Sequence, residues 1–159
     1  MHNNQKVIEQ FYSSFQKRDF EGMKACYHDA ATFSDPVFPK LDSKKAKAMW
    51  HMFCIGRSGL TLQFNSALAN ENTGSCHWEA NYTFTRTGRP VLNKINAAFK
   101  FKDGKIIEHV DTFDFWKWSR MALGTPGILL GWSPLIKNKV RKIAAGNLAK
   151  FIDEHAEYK

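Results

Sequence analysis

The first apolar positions of the chain recur with the period of a helix. Val7, Ile8, Phe11, Tyr12 and Phe15 fall at i, i+1, i+4, i+5 and i+8, one stripe on a helix over residues 4–18. Asn3 or Asn4 stands where a cap is needed. Asp19 can cap a second short helix running to Tyr27, with Met23, Cys26 and Tyr27 turned inward. Residues 30–38, AATFSDPVF, break the period. Ala31 and Phe33 indicate a short strand, closed by Asp35-Pro36, because proline biases the residue before it toward extended backbone. Ser43 opens a third helix, with Ala46, Met49, Trp50 and Phe53 at helical spacing and Gly56 and Gly59 at its end.

From Leu60 onward the period is two. Leu60, Leu62 and Phe64 alternate with Thr61 and Gln63, and a turn follows around residues 72–74. In the next strand Cys76, Trp78, Ala80, Tyr82 and Phe84 share one face, with His77, Glu79, Asn81, Thr83 and Thr85 on the other. TGRP turns the chain into a strand from Val91 to Phe101, with Asn93, Ile95, Ala97, Phe99 and Phe101 on one parity. Asp103-Gly104 is a two-residue hairpin signal, and residues 106–115 form the last strand. Three helices followed by an antiparallel meander predict an α+β fold, with a strongly curved sheet over the helices and a cavity between them.

The remainder predicts a helical extension. SRMALGTPGILLGWSP is punctuated by Gly and Pro, and its apolar centre is expected to bury across the cavity mouth. Ser133-Pro134 reads as a helix start. Ile136, Val140, Ile143, Ala144, Leu148 and Phe151 then mark an amphipathic helix to about Asp153, docked on its own domain or on a second subunit, with a membrane-surface helix as the minor alternative. The division expected is residues 1–118 for the main domain and 119–159 for the extension.

Composition narrows the function. Aromatics make up 14% of the 159 residues, 13 of them Phe, which suits a roomy core or a lined cavity. Cys26, Cys54 and Cys76 are widely spaced with no Cys-x-x-Cys pair, so they read as buried thiols of a reducing cytoplasm and not as a zinc ribbon or disulfide framework. The N-terminus lacks the shape of a signal peptide, and no apolar run has membrane-spanning length, so a cytoplasmic protein is expected. The formal net charge of +8 raises nucleic acid or an acidic membrane as a partner. The Lys and Arg residues read as spread along the chain, densest in KNKVRK at 137–142, and no nucleic-acid motif accompanies them. Neither nucleic acid nor a membrane is therefore expected as a partner.

The junction ATFSDP and the final hairpin KDGKIIEHVD resemble the nuclear transport factor 2-like superfamily, in its SnoaL-like polyketide cyclase and ketosteroid isomerase-like branch, over about residues 7–116. The resemblance implies a cone-like, cystatin-like domain that often forms homodimers through the outer sheet face. It also assigns roles. The general-base aspartate of ketosteroid isomerase falls on Asp35, and its two oxyanion donors fall on Phe11 and Ala97, so that donor pair is absent here. Its cavity positions fall on Tyr27, Trp78, Ala80, Tyr82, Phe84, His109, Asp111 and Phe113, and Trp50 and Asn93 complete the expected lining. EHVDTFDFW is similar to the final strand of SnoaL-like cyclases, which use a histidine and an aspartate as pocket acid and base. Strand parity favours Asp111 over Asp114 for that aspartate.

His109 and Asp111, at i and i+2 on a strand, emerge on one face roughly 6–7 Å apart. With Asp35 they make a trio suited to proton abstraction beside a carbonyl. Asp35 or Asp111 is the base, His109 a donor or proton shuttle, and Tyr27 or Tyr82 a donor to substrate oxygen. The alternative is structural: His109 and Asp111 satisfy one another, and Asp35 only caps a turn. The expected function is cofactor-independent acid/base catalysis, of isomerase or cyclase type, on a small hydrophobic carbonyl compound, with no cofactor or metal. The rival expectation is a non-catalytic ligand-binding or dimerisation module of the same fold.

Overall fold

The computed structural model describes residues 2–56 and 59–159. Helices α1 (Asn3–Gln16) and α2 (Phe20–Ala25) lead into strand β1 (Tyr27–Ser34), the two-residue β2 (Leu41–Asp42) and helix α3 (Ser43–Gly56). Strands β3 (Thr61–Ala69), β4 (Thr73–Phe84), β5 (Arg89–Lys102) and β6 (Lys105–Thr112) form the meander. Helices α4 (Phe115–Leu123), α5 (Thr125–Leu130) and α6 (Pro134–Glu154) and a final 3-10 turn (Ala156–Tyr158) complete the chain. The α+β reading holds.

The six strands form one sheet in the order β2-β1-β6-β5-β4-β3. It is antiparallel except where β6 returns beside β1 in the same direction, pairing Phe33 with His109 and Ser34 with Val110. Local pattern could not reveal that parallel pair, because it joins the first strand to the last. Three ladders carry register shifts, one of them between Asn65 and Leu68 beside Ser66, whose φ is +55°. Such bulges add twist and bend a sheet. The period-two reading predicts the buried faces well: β5 alternates strictly from Val91 to Phe101, and β4 buries Cys76, Trp78, Ala80 and Tyr82. Asp103 and Gly104, both at positive φ, make the tight β5–β6 turn.

Several local expectations shift. Tyr27 belongs to β1, not to the end of the second helix. The cap of α1 is His2, whose ring accepts from Asn4 N; the Asn4 side chain instead donates to the carbonyls of Asn70 and Glu71. Ser43 opens α3 as expected, and Asp42 before it accepts from Lys45 N at 2.9 Å. Asp19 caps α2 as expected. The last strand stops at Thr112, because Asp114 accepts from Lys117 N at 3.0 Å and starts α4.

The extension is helical throughout, and α6 packs back on the domain. Leu148 and Phe151 are buried, Phe151 meets the ring of His51 at 5.1 Å, and His51 Nδ1 lies 2.9 Å from the Tyr158 hydroxyl. Arg141 Nε donates to the carbonyl of Pro36 at 2.9 Å, strapping the middle of α6 to the turn after β1. The expectation for GTPGILLGW is overturned. Pro126 lines the cavity, but Ile128, Leu129, Leu130 and Trp132 are exposed. The glycines explain it: Gly127 of α5 and Gly131, the residue that ends it, lie four apart and face inward. A methyl at either position would run into Ser119 of α4, so the bulky side chains point outward. Among the described residues no helix is long and apolar enough to cross a membrane.

Candidate active site

A cavity of about 550 Å³ lies between the concave sheet face, α3 and the C-terminal helices. Its wall is mostly apolar: Val37, Phe38 and Phe53 near α3, Trp78, Ala80, Tyr82 and Phe84 from β4, Ile95 from β5, and Trp118 from α4. Helix α6 closes one side with Ile136, Val140, Ile143 and Ala144. These four helix positions were legible as an apolar stripe, but nothing in the sequence tied the stripe to this cavity.

One carboxylate is sunk into that wall. Asp111 is 3% exposed and lines the cavity. Its Oδ1 accepts from His109 Nε2 at 2.9 Å and from Trp78 Nε1 at a long 3.4 Å. Behind it the chain of contacts continues inward: Tyr27 Oη lies 2.8 Å from His109 Nδ1, and Trp50 Nε1 donates to Tyr27 Oη at 2.9 Å. Counting protons assigns the tautomer. With Trp50 donating to Tyr27, Tyr27 donating to Nδ1, and Nε2–H donating to Asp111, every donor in the chain has an acceptor. His109 itself is fully buried, enclosed by the rings of Phe11, Phe33, Trp50 and Phe99.

The expected site residues therefore fall into two layers. Asp35, Trp50, Trp78, Tyr82, Phe84, Asn93, Asp111 and Phe113 all line the cavity. His109 and Tyr27 stand behind its wall and reach it through Asp111 and Trp50. Asp35 does two things at once. Its Oδ1 accepts from the backbone N–H groups of Val37 and Phe38 at 2.7 and 2.6 Å, which shapes the turn after β1, and the residue also borders the cavity. Asp35 follows the last residue of β1, Ser34, which pairs with Val110 next to Asp111 in β6. Phe11 and Ala97 are core residues, and Ala97 sits directly opposite Asp111 in the β5–β6 ladder.

Other polar groups are spread around the cavity. Tyr82 Oη accepts from Trp118 Nε1 at 2.8 Å, anchoring α4 over the sheet. Asn93 is buried on the same strand as Ala97, four residues and roughly 13 Å away along it. Arg86 and Lys139 line the cavity yet are exposed, so they stand at its opening. Burial raises the Tyr27 hydroxyl well above its ordinary value, with the Trp50 hydrogen bond opposing and the Asp111 charge adding.

Set beside known proteins, residues 8–109 match the model of the SnoaL-like domain. The chain belongs to the SnoaL-like family. Solved structures with this SnoaL-like fold superpose over most of their own length. One is a nuclear transport factor 2-like protein of unknown function from Burkholderia pseudomallei, 16% identical, covering 76% of this chain and 98% of that one, with a TM-score of 0.65. Another is an LEH-like epoxide hydrolase of Mycobacterium tuberculosis, 17% identical over 80% and 92%, TM-score 0.63. A third is IdmH of Streptomyces antibioticus, a protein proposed to be a polyketide cyclase, 17% identical over 74% and 96%, TM-score 0.62. At these identities the likeness establishes the SnoaL-like fold. A search of curated proteins gave no match.

Proposed function

We propose that this SnoaL-like chain is a cofactor-independent acid/base catalyst acting on a small hydrophobic carbonyl compound held in the cavity. The observation that carries the reading is Asp111, a nearly fully buried carboxylate that borders an apolar cavity and, among the described residues, is held on Oδ1. Both of these hydrogen bonds reach Oδ1, which leaves Oδ2 for a ligand under this reading. A carboxylate in such surroundings is weakly solvated and well placed to take a proton from carbon beside a carbonyl. The proton moves to Asp111 and returns to another atom of the enolate. Trp78, whose bond to Asp111 is long, lines the cavity and offers its N–H to a developing oxyanion. His109 is a positioning residue, fixed by Tyr27 and in turn fixing the carboxylate. Neighbours of this fold that are named as an epoxide hydrolase and as a proposed polyketide cyclase support catalysis on this fold.

A second reading has its own observation: the chain from Trp50 to Asp111 is satisfied internally, as a binding module would require. One experiment separates the two. Apolar cyclic ketones are incubated with the protein in D2O, and loss of α-proton signals is followed by NMR. Catalysed exchange that disappears in Asp111→Asn, with ligand affinity retained, supports the catalyst. Tight binding without exchange by the unmodified protein overturns it in favour of the binding module.

A further inference from the structure

The Lys and Arg residues are spread along the chain, but the acidic residues that balance them are not. Between Asp114 and Asp153 there is no acidic residue, while seven Lys or Arg side chains lie there, so of the formal net charge of +8 the rest of the chain carries only +1. The same segment holds the most exposed apolar surface. Leu129 is 63% exposed, Trp132 68% and Leu135 69%, with Ile128 and Leu130 beside them. The two features interleave. Arg120 lies 4.4 Å over the ring of Trp116, and Trp116 Nε1 donates to the carbonyl of Ile128 at 3.3 Å, setting a cation against the flank of α5. Lys137 and Lys139 follow Leu135 in the first turns of α6.

Exposing large apolar side chains to water is unfavourable, and the fold does so by construction, since Gly127 and Gly131 face inward. We propose that the α5 tip and the first turns of α6 form a docking surface for an anionic lipid surface. The apolar side chains insert at the headgroup boundary, Trp132 among them, and the surrounding cations face lipid phosphates. A second copy of the chain is the weaker occupant. Two-fold pairing through this patch would bring its cations against their own equivalents, and like charges across an interface repel. The position also has a consequence for access. Pro126, Ile136 and Lys139 belong to this segment and line the cavity, so docking sets the cavity opening against the lipid. The docking itself does not depend on the chemistry proposed for Asp111.

Co-sedimentation of the full chain with vesicles tests it. Phosphatidylcholine vesicles containing about 30% phosphatidylglycerol should pellet the protein at low salt, and pure phosphatidylcholine should not. About 0.5 M salt should release it, because screening removes the attraction. Trp132→Ser and the pair Lys137→Glu and Lys142→Glu should each weaken vesicle binding about tenfold or more. Leu68→Ser, an exposed position on β3, should leave it unchanged. These side chains lie outside the core, and circular dichroism checks that each variant is folded. No binding to anionic vesicles, equal binding to both vesicle types, or binding that survives Trp132→Ser overturns the proposal. So does a sedimentation-velocity result in which the protein is an oligomer that Trp132→Ser dissociates.

Discussion

His109 Nε2 lies 2.9 Å from Asp111 Oδ1, two residues along the same strand, with the imidazole fully buried and the carboxylate at the cavity wall. The pair is thus a one-sided device: the histidine never meets the cavity contents, and the aspartate does. Replacing His109 by Leu leaves both the Tyr27 hydroxyl and the Asp111 carboxylate short of a partner. It should cost about 2–3 kcal/mol of stability, measured by urea denaturation, because two buried groups each lose a hydrogen bond. The double replacement with Asp111→Leu should cost less than the sum of the two single ones. Under the proposed chemistry His109→Gln should lower kcat and leave KM nearly unchanged, since the residue acts through Asp111. A change confined to KM would contradict that role.

Tyr12 presents the opposite situation. Its hydroxyl is fully buried and has no hydrogen-bond partner among the described residues. An unsatisfied buried hydroxyl costs about 1–3 kcal/mol. Tyr12→Phe keeps the ring that packs on Phe64 and Trp78 and removes the orphan atom. The variant should melt at the same temperature or a few degrees higher, read by calorimetry. A loss of several degrees would show that the hydroxyl has a partner.

The three thiols predict alkaline instability. Burial pushes Cys26 and Cys76 up to about 12 and Cys54 up to about 11, from an ordinary thiol value of 9.0. Between pH 9 and these values the unfolded chain has released protons that the folded chain still holds. Folding then binds protons, and stability falls as pH rises through that window. The urea midpoint should drop between pH 9 and 11 more steeply than in a Cys26→Ala, Cys54→Ala, Cys76→Ala variant. Equal slopes would remove the thiols as the cause. Tyr12 and Tyr27, also raised well above their ordinary values chiefly by burial, add a further decline at higher pH in both proteins.

Helix α6 is held at its C-terminal end by Phe151, which packs on His51 and stacks on His155 at 3.9 Å. Phe151→Ala should cost about 3–5 kcal/mol if the whole domain unfolds together. Since α6 also walls the cavity through Ile136, Val140, Ile143 and Ala144, its loosening should raise the fluorescence of a hydrophobic dye at temperatures below melting. An unchanged dye signal would mean that Arg141 and its bond to Pro36 hold the helix without Phe151.

Much of this molecule is determined by neighbours in sequence. The strict alternation of β5, the Asp103-Gly104 turn, the Asp19 cap and the stripe of α6 all follow from side-chain periodicity and turn chemistry, which act over a few residues. The same periodicity put His109 and Asp111 on one face, and the family resemblance pointed to the cavity-lining set from Trp78 to Phe84. What the tertiary structure alone decided depends on residues far apart in the chain. The parallel pairing of β1 with β6 sets Phe33 beside His109. The rings of Phe11, Phe33, Trp50 and Phe99 close over His109 and leave Asp111 as the group at the wall. Gly127 and Gly131 press against Ser119, so that an apolar segment expected to bury instead faces outward. Each is a matter of packing between distant elements, where volume and register, not local preference, choose which side chain is covered and which is left open.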